Sequence, residues 1–459
     1  MVTQTNALAP AVARMVDRLD SDGVCMHGFT LTQHGQTVAE GSWAPFQNDA
    51  PHRMFSVSKS MTSLAVGLLQ ADGKLKLTDR ICAYFPDKLP DPVPDALAHT
   101  TLCDMLRMAT CHRQTTYKLA DDDDWTRTFF TVPPTHAPGT VFCYDTSASH
   151  TLAALVQRLT GMPLLDFLQR RLFDSLGATD EKRWMTDPVG VCQGGTGLVM
   201  TLHDLTKVAE FCMAGGKGTP LEGYLREATQ KQIETPLQSS AEERFGYGYQ
   251  FWRTRHNGFA MYGLGGQLAV CLPDRETVFC TTADTQLDPI GVQKIYRAFW
   301  QEVYPALSGA PCSQAAWDAL HETLHTLALR PLPNDDAFAR CVGRDYAFAS
   351  NPMQLQTLRL APHELTWENA AGRCALPFGK GEWVRSVFPG TQEPCIASAG
   401  WIAPALLRLT CHIIGDSPCG LDMLLAFKND FVTVQMQSVR EIYTASYSGI
   451  ASGQAVPRR

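Results

Sequence analysis

A serine and a lysine three residues apart, Ser56 and Lys59, are the residues of this sequence best suited to chemistry. Residues at this spacing on a helix share a face, so their side chains can meet. A serine hydroxyl is a weak nucleophile, and a lysine amine can take its proton when burial or another cation lowers the amine's pKa. The N-terminus of the helix would add a positive dipole end where an oxyanion forms. The same spacing also occurs by chance, in which case both side chains would lie exposed on a surface helix.

The residues that follow this pair predict a buried helix. Apolar side chains recur there with helical spacing, and Gly73 comes just after the last of them, where a helix typically ends. The apolar positions are Val57, Met61, Leu64, Ala65, Leu68 and Leu69. A buried helix would remove Lys59 from water, which favours the chemical interpretation over the surface pair.

Tyr144 stands just before a second predicted helix, which closes at Gly161 and which Asp145, Thr146 or Ser147 can cap. A tyrosine in this position can simply pack, or it can place its phenol where a proton must move. Beside an ammonium group its phenolate form becomes more accessible, which would suit a general base.

Glycines interrupt the segment 261–270, which has the pattern of one strand. Gly263, Gly265 and Gly266 occupy three of four consecutive positions. Glycines are costly to order in a strand, so they favour the close approach of a ligand to the backbone. A glycine-rich bulge is the alternative.

Cysteine is frequent, with fifteen residues, but no C-x-x-C pair occurs. We predict reduced, mostly buried thiols and no metal site or cofactor. Cys111 and His112 are adjacent, yet sequence neighbours rarely face one point. A thiol enzyme using Cys111 or Cys143 is the weaker alternative to a serine enzyme. The acidic run at residues 121–124 is predicted to be a solvated loop or helix cap rather than a metal site.

Length and composition indicate a folded protein of more than one domain. The chain has 459 residues, above the roughly 250–300 at which single cores stop growing. Its 45% apolar and 19% charged residues are typical of globular proteins, and a net charge of −7 gives no sign of nucleic-acid binding. No apolar run approaches the roughly 18 residues of a membrane span, and residues 1–10 do not resemble a signal peptide. We therefore expect a cytoplasmic location.

The composition changes after about residue 305. Residues 313–329 have helical spacing, a proline-rich stretch follows at 331–335, and strand patterns with turn signals dominate from residue 345. This spacing predicts a small barrel or sandwich. The predicted domains are 1–305, a helical linker at 306–335 and a β domain at 336–459.

Taken together, these motifs resemble the serine β-lactamase and penicillin-binding protein superfamily, in its class C-like branch. Ser56 and Lys59 match the Ser-x-x-Lys motif of that family. Tyr144, Asp145 and Thr146 stand where the family has Tyr-x-Asn, and residues 264–266 stand where it has Lys-Thr-Gly or His-x-Gly. The resemblance covers roughly residues 8–305. It implies an α+β fold with an antiparallel sheet flanked by helices and a helical subdomain.

A weaker resemblance concerns the C-terminal region. Residues 378–383 and 399–401 are similar to the lipocalin-like β-barrel that follows some hydrolases of this family. Such an appendage would cap the active site, mediate a homodimer or only cover hydrophobic surface.

The resemblance also implies roles for individual residues. Ser56 would attack a carbonyl carbon to form an acyl-enzyme, and Lys59 and Tyr144 would move protons. The backbone N–H groups of Ser56 and Gln267 would form the oxyanion hole. The positions implied for substrate contact are Thr146, Leu264, Gly265 and Gly266.

Two departures from the family pattern narrow the expected activity. Thr146 replaces an asparagine, and Leu264 stands where a lysine or histidine would hold a β-lactam carboxylate. We therefore predict a serine hydrolase of small esters, amides or peptides rather than an efficient β-lactamase. An acyltransferase using the same acyl-enzyme, and a non-catalytic relative that binds a peptide or acyl ligand, are the alternatives. No nucleic acid or membrane partner is expected, and a homodimer is left open.

Overall fold

A computed structural model of the protein describes residues 7–309, 311–333, 342–370, 372–389, 391–438 and 447–457. The chain divides into two compact units. Unit 1 runs to residue 42 and continues through 47–283 and 290–327, whereas unit 2 comprises 43–46, 284–289 and 328–459. The domain boundaries given above from composition remain a prediction.

Unit 1 contains the helices of the described chain and a minority of its strands. Its α-helices are α1 (Leu8–Ser21), α2 (Val57–Ala71), α3 (Asp95–Ala98), α4 (Leu102–Leu106), α5 (Trp125–Thr131), α6 (Thr146–Thr160), α7 (Leu164–Leu168), α8 (Leu202–Met213), α9 (Glu222–Ala228), α10 (Gly291–Ala298) and α11 (Gln314–His325).

The strands of unit 1 form two antiparallel sheets. They are β1 (Met26–Gln33), β2 (Gln36–Ser42), β3 (His52–Arg53), β4 (Arg183–Trp184), β5 (Leu198–Met200), β6 (Trp252–Arg253), β7 (Phe259–Gly263), β8 (Gln267–Leu272) and β9 (Thr277–Ala283). The larger sheet has the order β2-β1-β9-β8-β7-β6, and the smaller has the order β3-β5-β4. Helices beside an antiparallel sheet confirm the α+β architecture predicted for this part of the chain.

Helix α2 runs through the core of unit 1, as its apolar spacing predicted. Thirteen of its fifteen residues are buried. Its polar side chains are compatible with burial because they bond to backbone carbonyls: Ser60 to Gln250 at 2.6 Å and Thr62 to Gly194 at 2.7 Å. The helix is therefore fixed on all sides, which fixes the residues at its N-terminus.

The segment 261–270 is not one strand. Strands β7 and β8 pair with each other, and residues 264–266 form the turn between them. Gly265 and Gly266 have φ angles of 83° and 98°, which a residue with a side chain rarely adopts. Gly265 and Gly266 therefore form a hairpin turn. The prediction that residues 261–270 form one continuous strand is wrong.

Two helical stretches of unit 1 change their helix type along their length. The segment 163–176 is α-helical only in α7 and continues as a π-helix over Gln169–Phe173. The segment 289–304 is α-helical in α10 and then forms a π-helix over Phe299–Val303.

Unit 2 is a β-barrel that is nearly closed. Its strands are β10 (Asp345–Phe348), β11 (Thr357–Ala361), β12 (Glu364–Asn369), β13 (Gly372–Pro377), β14 (Val384–Val387), β15 (Pro394–Ala403), β16 (Leu406–Ile413), β17 (Gly420–Lys428), β18 (Phe431–Ser438) and β19 (Gly449–Ala455). They form one antiparallel sheet of order β13-β12-β11-β10-β19-β18-β17-β16-β15-β14, whose edge strands β13 and β14 lie close together. This confirms the predicted small C-terminal barrel.

Candidate active site

Ser56 lies at the N-terminal end of helix α2, and the residue before it has an unusual backbone. Phe55 has a φ of 45°, although it is a bulky, buried side chain. Such a conformation costs roughly 1–3 kcal/mol and persists only where surrounding contacts hold it. Here the guanidinium of Arg53 stacks 4.4 Å from the Phe55 ring, and the Ser58 hydroxyl donates to the Phe55 carbonyl at 2.6 Å. The sharp turn delivers Ser56 to the start of the helix.

Lys59 is the centre of the site's hydrogen bonds. Its Nζ donates to Ser56 Oγ at 2.9 Å and to the Gly195 carbonyl at 2.6 Å. The residue is 1% exposed, and its amine lies 4.7 Å from the centre of the Tyr144 ring. The structure therefore brings together Ser56, Lys59 and Tyr144, the three residues to which the sequence analysis gave catalytic roles. Those roles themselves stay predictions.

Tyr144 is held by aromatic packing and reaches the serine. Its ring stacks on Trp252 at 5.8 Å and meets Tyr247 edge-on at 6.5 Å, and its phenol shares a hydrogen bond with the Ser56 hydroxyl. Burial raises the pKa of the Tyr144 phenol well above its ordinary value, and the Ser56 hydrogen bond opposes this only in part. We expected the neighbouring lysine to make the phenolate accessible. Instead burial dominates and raises the pKa of Tyr144, which favours the protonated phenol at neutral pH.

A glycine pair lets three elements meet at Lys59. A Cβ on Gly195 would lie 2.4 Å from Thr146 Cγ2, and a Cβ on Gly194 would lie 2.5 Å from the Ala153 side chain. Only glycine allows this loop to pass so close to α6 and to present its carbonyl to Lys59. Thr146, predicted to contact substrate, is half-buried, with its methyl group against Gly195.

Asp145 fixes the start of helix α6 directly after Tyr144. Its carboxyl is fully buried and accepts hydrogen bonds from the Ser147 N–H at 2.9 Å and the Thr110 hydroxyl at 3.3 Å, and another from the Ser147 hydroxyl. Burial raises the pKa of Asp145 to about 6, and these donors limit the rise. Of the three caps that the sequence allowed, the structure uses this one.

The β7–β8 hairpin lies against the chain segment that precedes Ser56. A Cβ on Gly263 would stand 2.2 Å from the Met54 carbonyl, so glycine is required there. The buried Gln267 side chain bonds to the Leu264 and Ala283 carbonyls at 2.8 and 2.9 Å and accepts from the Ala283 N–H at 3.1 Å. These bonds brace the hairpin. The oxyanion role of the Ser56 and Gln267 N–H groups stays a prediction.

Leu264, at the tip of this hairpin, is 48% exposed. It occupies the position where the family motif carries a cation, and the adjacent Gly265 and Gly266 complete the turn. The hairpin therefore presents an apolar side chain, which cannot pair with a substrate carboxylate.

The surroundings of Cys111 and Cys143 do not support a thiol enzyme. Burial raises the pKa of the Cys111 thiol to about 11 and lowers the pKa of His112 to about 4, and the His112 ring bonds to the Phe129 carbonyl at 2.8 Å. Burial and the neighbouring Asp145 raise the pKa of Cys143. A reactive cysteine needs a lowered pKa. The fourteen cysteines within the described ranges are free thiols, as expected.

The acidic run at residues 121–124 contributes a helix cap and an ion pair. Asp124 caps helix α5, and Asp122 pairs with Arg127 at 2.7 Å. Across the described residues, no group of three or more His, Cys, Asp and Glu side chains is arranged to hold a metal ion. Among the helices described, none is long and apolar enough to cross a membrane.

Glu243 is a polar residue near the site that the sequence analysis missed. Its carboxyl shares a hydrogen bond with the Tyr262 phenol, and its charge contributes to the raised pKa of Tyr144. Burial raises the pKa of Glu243 itself. Nothing in the sequence distinguishes it from its neighbour Glu242, because its proximity to Tyr144 depends on the folded chain.

The helices and antiparallel sheet of unit 1, with Ser56, Lys59 and Tyr144 brought together, are those of the class C-like branch of the β-lactamase and penicillin-binding protein superfamily. A family model described as Beta-lactamase matches residues 26–292, more than half of the chain. The chain belongs to this Beta-lactamase family.

Several relatives carry more particular names. The chain is 23% identical, over 288 residues, to a 6-aminohexanoate-dimer hydrolase of Paenarthrobacter ureafaciens, covering 58% of this chain and 73% of that protein. A putative 6-aminohexanoate-dimer hydrolase from Bacillus anthracis superposes with a TM-score of 0.54 at 18% identity, covering 65% of this chain and 83% of that one. EstCE1, a hydrolase with promiscuous acyltransferase activity, gives a TM-score of 0.54 at 16% identity, covering 64% and 99%. At these identities the solved structures show a shared fold.

Proposed function

We propose that the protein hydrolyses a small ester or amide through an acyl-enzyme on Ser56. The observation that carries the proposal is the buried Lys59 amine, 2.9 Å from Ser56 Oγ and beside the Tyr144 ring. A site that only binds a ligand needs none of these three groups in contact. The arrangement matches a nucleophile with an adjacent base.

The proton movements are proposed from the contacts of Lys59 and Tyr144 with Ser56. Since burial favours the phenol form of Tyr144, we assign the role of base to Lys59, whose amine would take the Ser56 proton as Oγ bonds to the carbonyl carbon. The Tyr144 phenol then gives its proton to the departing alkoxide or amine and recovers one from the Lys59 ammonium. Water attacks the acyl-enzyme by the reverse route, which restores Ser56. The N–H groups of Ser56 and Gln267 would stabilise the oxyanion in both halves, each donor contributing about 2.7–4 kcal/mol.

The substrate is proposed to be a small linear amide or an ester. The name of the Paenarthrobacter relative supports amide hydrolysis, and an ester would form the same acyl-enzyme on Ser56. Exposed Leu264 in place of a cation argues against efficient turnover of β-lactams, whose carboxylate would be unpaired.

Acyl transfer is a second candidate because the EstCE1 name includes it. The same acyl-enzyme would then react with an alcohol or amine instead of water. Product analysis with and without added alcohol separates the two: an acyltransferase forms the new ester in preference to the free acid.

The proposal is tested by turnover of p-nitrophenyl acetate. We expect turnover by the wild type, a loss of at least about 10³-fold in Ser56→Ala, and no change in Ser21→Ala, a matched change of an exposed serine. Equal turnover by Ser56→Ala would contradict the mechanism. A lack of turnover in the wild type would favour the non-catalytic binding alternative. The cytoplasmic location stays a prediction, and the homodimer stays open.

A further inference from the structure

Two adjacent glutamates beside the site differ in how their charge is balanced. Glu242 pairs with Arg255 at 2.6 Å and accepts from the Trp300 ring N–H at 3.2 Å. Glu243 is half-buried and shares its hydrogen bond with the Tyr262 phenol. In the ranges that the structure describes, no Lys, Arg or His side chain forms an ion pair with it. Its negative charge is therefore uncompensated.

The Glu243 carboxyl is held in place by its own segment. It belongs to a 3-10 turn over Ala241–Arg244, and its backbone carbonyl accepts from the Thr235 hydroxyl at 2.7 Å. The same hydroxyl accepts from the Gly246 N–H at 3.0 Å. The carboxyl is thus presented by an anchored turn.

Aromatic rings connect Glu243 to the nucleophile. Tyr262, its hydrogen-bond partner, lies 6.3 Å from the ring of Trp252, on which Tyr144 stacks at 5.8 Å. Tyr144 in turn contacts Lys59 and Ser56. We name the aromatic cluster by its members, which are Phe142, Tyr144, Tyr247, Trp252 and Tyr262. Phe142, Tyr144 and Tyr262 are only partly buried, so the cluster has a surface that a ligand can cover.

The Glu243 carboxylate and the aromatic cluster together favour a positively charged ligand. A carboxylate at reduced exposure attracts a cation more strongly than it would in water, and the faces of aromatic rings attract ammonium groups. A substrate carboxylate would be repelled by Glu243 and would find no cation at exposed Leu264. Both features favour a positively charged substrate over a negatively charged one.

We propose that Glu243 and the aromatic cluster form a subsite for an ammonium group of the substrate, separated from the reacting carbonyl by an aliphatic chain. The preferred esters and amides then carry a primary amine. This inference rests on the proposed function, of which it specifies the substrate class. Tyr262 positions the carboxyl, and Trp252 with Tyr144 lines the path to Ser56.

Three methyl esters of matched length test the subsite, with acid release followed at constant pH. Methyl 6-aminohexanoate, methyl heptanoate and monomethyl adipate place an ammonium, a methyl and a carboxylate group at the same end of the chain. In the wild type we expect kcat/KM to be at least tenfold higher for the ammonium ester than for the methyl ester, and lowest for the carboxylate ester. In Glu243→Gln the ammonium-to-methyl ratio should fall at least tenfold, mainly through KM. In Glu243→Lys the order of the charged esters should invert.

A matched control separates this effect from overall charge. Glu234→Gln makes the same change at an exposed glutamate that pairs with Lys231, and it should leave all the ratios unchanged. Ratios in Glu243→Gln equal to those of the wild type would overturn the proposal.

A binding measurement keeps the test independent of turnover. We would titrate 6-aminohexanamide and hexanamide into Ser56→Ala, with and without Glu243→Gln, by calorimetry. Tighter binding of 6-aminohexanamide than of hexanamide by Ser56→Ala, with this affinity ratio reduced at least tenfold by Glu243→Gln, supports the subsite. This result would hold even if no ester is hydrolysed, and then only the proposed hydrolase function fails. Equal affinities for the two amides in Ser56→Ala overturn the subsite and leave the hydrolase function standing.

Discussion

The two ends of the candidate site are built differently. At the nucleophile end, Ser56, Lys59 and the Gly195 carbonyl share short hydrogen bonds and are shielded by the buried helix α2. At the substrate end, Leu264 is exposed and carries no charge. Glu243 is half-buried and has no ion-pair partner among the described residues.

The two ends should therefore differ in how well they tolerate substitutions. At the nucleophile end each group has a partner, so a substitution there leaves a buried polar group unsatisfied or inserts an atom into occupied space. At the substrate end a side chain can change without unfolding its surroundings. We therefore expect changes at the first end to alter kcat or stability, and changes at the second to alter substrate preference.

The largest effect should follow from the loss of the Lys59 amine. In Lys59→Met we expect kcat to fall about 10³-fold, within the range for removal of a general base, as measured with p-nitrophenyl acetate. Lys59→Arg should be as inactive, because a guanidinium retains the charge but cannot accept a proton. Activity of Lys59→Arg within tenfold of the wild type would show that charge alone is needed. Thermal unfolding would confirm that both variants are folded.

A methyl group on Gly195 tests the packing of the nucleophile end. The Cβ in Gly195→Ala would meet Thr146 Cγ2 at 2.4 Å and lie 3.4 Å from Lys59 Nζ. We expect a loss of about 1–3 kcal/mol in the free energy of unfolding, measured with urea. Gly223→Ala in helix α9 is the matched control, since a Cβ there meets no atom within 4 Å, and it should be neutral or stabilising. Equal behaviour of the two variants would contradict the tight packing.

Asp145 should make stability depend on pH. Its pKa in the folded protein is about 6, against an ordinary value of 3.8, so it contributes stability that is fully present below about pH 4 and lost as the pH rises through 6. The whole contribution is at most about 3 kcal/mol. Relative to Asp145→Asn, the wild type should therefore lose free energy of unfolding between pH 4 and pH 7. The control is Asp166→Asn, which makes the same change at an exposed position of helix α7. A constant difference between wild type and Asp145→Asn across this range would exclude the buried titration.

The smallest effect is expected at the exposed hairpin tip. Leu264→Lys places a cation at the substrate end, and we expect kcat/KM for a carboxylate-bearing substrate such as monomethyl adipate to rise a few-fold. Leu237→Lys makes the same change at a leucine that is 94% exposed, and it should have no effect. A large loss of stability in Leu264→Lys would show that this end is not as tolerant as its exposure indicates.

The sequence predicted the local parts of this site well. Ser56 and Lys59 meet because their spacing on a helix requires it, and the apolar spacing around them indicated that the helix is buried. The preference of helix starts for such caps limited the choice to Asp145, Thr146 or Ser147, of which the structure uses Asp145. Each of these inferences depends on residues only a few positions apart.

The parts that were missed or wrong depend on distant contacts. The Gly195 carbonyl reaches Lys59 across 136 residues, and Glu243 approaches Tyr144 only in the folded chain. The raised pKa of Tyr144 results from burial, which the residues beside it in sequence do not reveal. The turn at residues 264–266 was taken for part of a strand because apolar, strand-like residues stand on both sides of it.

In unit 2 the same limit applies to individual strands. Buried and exposed residues alternate along strand β16, which is the pattern that marks a strand in the sequence. Strand β15 lacks this alternation, because seven consecutive residues are buried and alanine, serine and glycine, which have little preference for strands, are frequent in it. The barrel was nevertheless predictable from the spacing of the other strands.

The most direct test of the central claim is the mass of the protein after reaction with a fluorophosphonate, followed by peptide mapping. We predict one adduct per chain, located on Ser56, absent in Ser56→Ala and much slower to form in Lys59→Met. An adduct on another residue, or equal labelling of wild type and Ser56→Ala, would contradict a nucleophilic role for Ser56.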